Sequence, residues 1–110
     1  MGGQGQPQVR AQLLLRSFAG ASAKTAVTAP RWMVGVSEPG DTDDTVYVEA
    51  DAAEAAAASL VASGLDVKTL PPHSETLGHA NLIRVDENGR FDAASDPRAD
   101  GSAVGVELPA

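Results

Sequence analysis

A chain of 110 residues fits one domain, and a polypeptide of this length buries only about 60 to 70 per cent of its unfolded surface on folding. Fifteen acidic residues against eight basic ones give a net charge of −7 and a pI near 4.5, which argues against nucleic acid or an anionic membrane as partner. Cysteine is absent, so disulfides and thiolate zinc sites are excluded, and the 4% of aromatic residues leaves few side chains to fill an interior. That composition suits a subdomain that completes a larger core.

Three glycines among residues 2–5 run into Gln6-Pro7 and then into a helical pattern from Gln6, with Gly20 as its stop. Ala11, Leu14, Leu15 and Phe18 share one face while Val9 and Leu13 lie nearly opposite, the pattern of a sandwiched helix. A short helical turn spans 23–29 and breaks before Pro30, since a residue preceding proline is pushed out of the helical region. Residues 32–36 read as a strand and 38–44 as a polar loop.

Thr45 to Glu49 is a second strand, rich in β-branched and aromatic residues. Asp51 then serves as N-cap of a helix over 52–63, with Glu54 completing a capping box and Gly64 as the C′ residue. Its alanine-rich faces, with Leu60 and Val61, are suited to close packing on a sheet. A strand over 65–70 stops at Pro71-Pro72, and 79–86 with 90–94 form a hairpin turned by Glu87-Asn88-Gly89. Val104-Gly105-Val106 adds a final strand before a fraying Leu108-Pro109-Ala110.

Four blocks occur in order: the Gly2-Gly3 opening, Ala29-Pro30-Arg31-Trp32, Leu77-Gly78-His79-Ala80, and Asp96-Pro97-Arg98-Ala99-Asp100-Gly101. Together, from Gly2 to about Val106, they resemble the C-terminal part of the small subunit of the gamma-glutamyltranspeptidase family. The resemblance implies an α+β fold, part of the αββα sandwich of N-terminal nucleophile hydrolases. It also implies a self-cleaving precursor whose new N-terminal threonine attacks a gamma-glutamyl amide. None of Thr25, Thr28, Thr42, Thr45, Thr69 and Thr76 matches that motif, so the chain reads as a fragment lacking the nucleophile. By the same resemblance Gly2 and Gly3 contribute backbone near the oxyanion and substrate, a place that glycine suits because it lets backbone approach a ligand closely.

Pro30, Arg31, His79, Asp96, Pro97, Arg98 and Gly101 read as structural. Asp96 and Arg98 flank a rigid proline and form a local ion pair and turn, in preference to an anion clamp. His79 is read as a structural hydrogen-bonding group and His73 as an exposed loop residue; neither has partners for catalysis or metal binding. Asp41, Asp43 and Asp44 lack the central glycine and terminal glutamate of a calcium loop, so no metal or cofactor is expected.

The resulting expectation is a C-terminal fragment of a gamma-glutamyltransferase or hydrolase. The complete protein would move a gamma-glutamyl group from a glutathione-like donor to water, an amino acid or a peptide, and the isolated chain would be inactive. Its partner would be a missing N-terminal portion, or a second copy through self-association. The alternatives are a non-catalytic association domain and the tail of a related amidohydrolase such as a cephalosporin acylase-like enzyme. No run reaches the roughly 20 apolar residues of a membrane span and no signal segment opens the chain, so the compartment is not readable.

Overall fold

Pro7 sits in the first turn of α1 (Gly5–Phe18), where backbone N–H groups have no helical acceptor and a proline costs nothing. The computed structural model describes residues 5–52 and 54–109. Helix α1 ends in a Schellman arrangement: Gly20, at φ 99°, donates to the Ser17 carbonyl (3.1 Å) and Ala21 to that of Arg16 (3.0 Å). Val9 and Leu13 pack with Val27 against Ala80, Leu82 and Ala94. The opposite face is open: Leu15 is 68% and Phe18 81% exposed, so the expected two-sided burial is one-sided within this chain.

Helix α2 (Ala23–Thr28) is capped by the Ser22 hydroxyl, which accepts from the Thr25 N–H (3.1 Å), and it ends at Ala29, held extended (ψ 149°) by the proline that follows. Its first N–H, from Ala23, donates to the Asp92 carboxylate (2.8 Å).

Strand β1 (Trp32–Val34) is shorter than the sequence indicates because Gly35, at φ 119°, turns the chain. It pairs antiparallel with β2 (Thr45–Glu49), Trp32 opposite Val48. The free edge of β1 is occupied by side chains of α1. Gln12 donates to the Trp32 carbonyl (2.8 Å) and accepts from its N–H (3.2 Å), and Gln8, one turn earlier, does the same with Val34 (2.9 and 2.8 Å). Two carboxamides at i and i+4 thus meet backbone groups at i and i+2 of the strand.

Strand β2 is buried along its whole length as the middle of the order β1-β2-β3. It joins β3 (Asp66–Leu70) in parallel through α3 (Glu54–Ala62), with Thr45 opposite Asp66 and Glu49 opposite Leu70. Helix α3 begins later than expected. Asp51 precedes it in a turn where Ala52 donates to the Glu49 carbonyl (3.0 Å), so Asp51 is not its N-cap; residue 53 lies outside the described residues. The end of α3 is as expected, with Gly64 (φ 87°) donating to Val61 and Leu65 to Leu60. Helix α3 contacts β3, and its Ala57 and Leu60 are half-buried, but none of its described residues is fully buried and Val61 is 59% exposed, so the expected packing on the sheet is shallow.

A single 3₁₀ turn over 75–77 leads to the hairpin β4 (Asn81–Val85) and β5 (Phe91–Ser95). Its turn forms because the Asp86 carboxylate accepts from Asn88 and Arg90 N–H (2.8 and 2.9 Å) while Gly89 supplies φ 77°. Leu82 and Arg84 turn inward and Ile83, Val85 and Phe91 are exposed. The anticipated strand at Val104-Gly105-Val106 is absent. Both valines are exposed and pair with no neighbouring strand, and β-propensity alone gives no ladder. Of the tail expected to fray, Leu108 is exposed and Ala110 lies outside the described residues.

The radius of gyration is 16.0 Å, against about 13 Å for a compact domain of this length. The molecule is elongated, with two small sheets joined largely by what lies between them.

Candidate functional site

Between the two sheets lies a group of ionised side chains shut off from water. Arg31 follows α2, Glu49 ends β2, and Asp96 and Arg98 follow β5; their exposures are 0, 1, 1 and 6%. Arg98 meets Glu49 through two parallel bonds, Nε to Oε1 (2.7 Å) and Nη2 to Oε2 (2.6 Å), the fork geometry that makes arginine the strongest partner of a carboxylate. Its Nη1 reaches Asp96 Oδ1 (3.0 Å), and Arg31 Nη1 reaches Asp96 Oδ2 (2.7 Å). The carboxylates are completed by backbone: Ala80 and Arg98 N–H donate to Asp96 (2.7 and 3.0 Å), and Arg31 and Ser74 N–H donate to Glu49 (3.1 and 3.2 Å).

The guanidinium groups also collect the carbonyls at the C-terminal end of α2. Arg31 and Arg98 donate to the Val27 carbonyl (3.0 and 2.8 Å), Arg98 to that of Ala29 (3.2 Å), and Arg16 to those of Ala26 and Pro30. Arg31 further reaches the Leu77 and Gly78 carbonyls, each at 3.3 Å. A helix C-terminus carries unpaired carbonyls and partial negative charge, so cations are its natural complement.

Burial alone pushes the Asp96 carboxyl up, but the Arg98 and Ala80 N–H groups with the two guanidiniums outweigh it and hold it below the ordinary carboxylate range. Burial, followed by the neighbouring charge of Arg98, pulls Arg31 below its usual value; Asp96 and Glu49 offset part of this. Arg98 is drawn down by burial yet ends above its usual value because of Glu49 and Asp96.

A second cluster pins the loop between β1 and β2. Asp41 accepts from the Ser37 and Glu38 N–H groups (2.9 and 2.8 Å), the Tyr47 hydroxyl (2.6 Å) and Lys68 Nζ. Hydrogen bonds from Lys68 and then Tyr47 hold its carboxyl well below the usual range. Its oxygens are engaged by protein donors, and Asp43 and Asp44 are exposed.

Of the residues singled out in the sequence, Arg31, Asp96 and Arg98 are brought together, and the Asp96–Arg98 pair across Pro97 is one contact of the network. Pro30 sets the extended step before Arg31, and its carbonyl takes a hydrogen bond from Arg16. A Cβ at Gly101 would stand 2.4 Å from Ser95 Oγ, so a larger residue there requires the Ser95 hydroxyl to turn aside. His79 departs from expectation: its exposed ring makes no hydrogen bond to a described residue, and the contacts of its block are backbone ones at Leu77, Gly78 and Ala80. His73 is exposed, with Nε2 3.2 Å from the Thr28 carbonyl and φ 53°. Gly2 and Gly3 lie outside the described residues. Glu49 and Arg16 are not among the residues singled out in the sequence, and an acid closing the β2 strand is the available signal for the first.

The sequence model of gamma-glutamyltranspeptidase matches residues 1–106. The chain belongs to that family. An oxamate amidohydrolase proenzyme of Klebsiella pneumoniae is 39% identical over 106 residues, and a glutathione hydrolase-like proenzyme of Bacillus subtilis 33%; each match covers 96% of this chain. This family member spans 20% of the length of both. Among solved structures, cephalosporin acylase from Bacillus halodurans superposes with a TM-score of 0.82 at 26% identity, over 99% of this chain and 19% of that one. Gamma-glutamyltranspeptidase from Pseudomonas nitroreducens gives 0.70 at 26%, over 90% and 49%. The fold is thus the α+β one expected, of the type found in N-terminal nucleophile hydrolases. Within it the guanidiniums of Arg31 and Arg98 are buried against protein groups, with Arg31 Nε the one buried side-chain nitrogen left without a partner among the described residues.

Proposed function

We propose that this chain is the C-terminal part of an amide-cleaving N-terminal nucleophile hydrolase, to which it supplies scaffold and the backbone of Gly2 and Gly3 at the oxyanion. The family match over nearly the whole chain carries this reading, with the chain spanning one fifth of its proenzyme relatives. In the sequence the glycine pair precedes, by one residue, Gly5 at the start of α1, and the positive end of a helix favours developing negative charge. The acyl group is gamma-glutamyl or a related small acid amide, taken from the activities that name the relatives.

No threonine here matches the family's nucleophile, so the purified chain is expected to leave gamma-glutamyl p-nitroanilide and oxamate unhydrolysed. Saturable turnover by this chain alone would overturn that part. For the rest, this chain is exchanged for the matching fifth of the Klebsiella proenzyme. A chimera that cleaves itself and hydrolyses oxamate supports the reading; a soluble, folded chimera that does neither refutes it.

The open apolar faces favour a second reading, a non-catalytic association module. Light scattering on the purified chain decides it, since a compact monomer at micromolar concentration counts against it.

A further inference from the structure

We propose that the cleft between α1 and the segment entering β4 binds a small carboxylate-bearing molecule with an apolar body, through Arg10. The cleft encloses about 340 Å³, enough for a small ligand. Its apolar wall is made by Val9, Leu13 and Leu82, and Arg10, His79 and Asn81 give it polar groups. No aspartate or glutamate lines it, in a chain where acids outnumber bases fifteen to eight. Arg16, Arg31, Arg84 and Arg98 all donate to protein groups, whereas the guanidiniums of Arg10 and of Arg90, which lies away from this cleft at the hairpin turn, make no hydrogen bond or ion pair to a described residue. An unspent guanidinium beside an acid-free apolar pocket selects a carboxylate over a neutral molecule of the same shape. His79 also borders a shallower depression shared with Glu75 and Asp100, so selectivity for the anion falls to Arg10.

The proposal is independent of any reaction, because binding is read without turnover. The ¹⁵N-labelled chain is titrated with isovalerate and, separately, with isovaleramide, its neutral counterpart of equal shape. Isovalerate is expected to give saturable shifts at the amides of residues 9–13 and 79–82. Isovaleramide and the Arg10→Gln variant are each expected to bind at least about tenfold more weakly, the loss of one charge-assisted contact. Arg10 is exposed, so Arg10→Gln is expected to keep the parent far-UV spectrum. Equal responses to acid and amide, unchanged affinity in Arg10→Gln, or no saturable shift at these amides would overturn the assignment.

Discussion

Replacing Arg98 with methionine keeps most of its volume and removes the centre of the buried network. Glu49 would then be left, 1% exposed, with two long backbone donors at 3.1 and 3.2 Å, while Asp96 keeps Arg31. Removing one partner of a buried pair costs about 3–5 kcal/mol, against about 5–15 kcal/mol for the total stability of a domain. With a urea slope of about 1.5 kcal/mol/M, Arg98→Met should move the unfolding midpoint by about 2–3 M, read from far-UV circular dichroism. Glu49→Gln leaves Arg98 with Asp96 and should cost less. The double variant strands no charge at this position, so the two losses should fall short of additivity by at least about 2 kcal/mol. A loss below about 1 kcal/mol for Arg98→Met, or strict additivity, would refute the view that Arg98 holds Glu49 against its desolvation.

Three further outcomes follow from single features. Gln12→Met removes both bonds to Trp32 and should cost about 1–3 kcal/mol in urea melts while leaving helix content unchanged; an unaltered midpoint would show that the carboxamide adds nothing. Gly78, at φ 83° and ψ 177°, occupies a region nearly closed to other residues, so Gly78→Ala should cost about 1–3 kcal/mol and disturb its carbonyl's bond to Arg31; a shift under about 0.5 kcal/mol in chemical denaturation would contradict this. The carboxyls of Asp41 and Asp96 are depressed in the folded state, so their stabilisation is complete above the unfolded value near pH 4 and is lost as pH falls through the lower folded values. Trp32 fluorescence should therefore stay native down to about pH 4 and change only below it; a transition centred above pH 5 would be the contrary result.

What was legible in the sequence was local. The Thr-Val-Tyr-Val-Glu strand, the Asn88-Gly89 turn and the glycine stop at Gly64 each depend on a few neighbouring residues, and each forms where the pattern places it. Nothing beside Gln8 and Gln12 in the sequence points to their bonds with β1, because their partners lie 26 and 20 residues away. Arg98 shows its pairing with Asp96, two residues back, but not with Glu49, 49 residues away. The unburied faces of α1 and α3 depart from their patterns for the opposite reason: hydropathy says that a face is to be covered, and not that the same chain covers it.

The carboxamides seated along β1 make the three-stranded sheet directional. An incoming strand finds no vacant ladder on that flank, because Trp32 and Val34 are already satisfied by Gln12 and Gln8. On the far flank β3 pairs with β2 alone among the described residues. Whatever enlarges this sheet must therefore add beside Asp66–Leu70, and the helix that seals one margin dictates the side from which assembly proceeds.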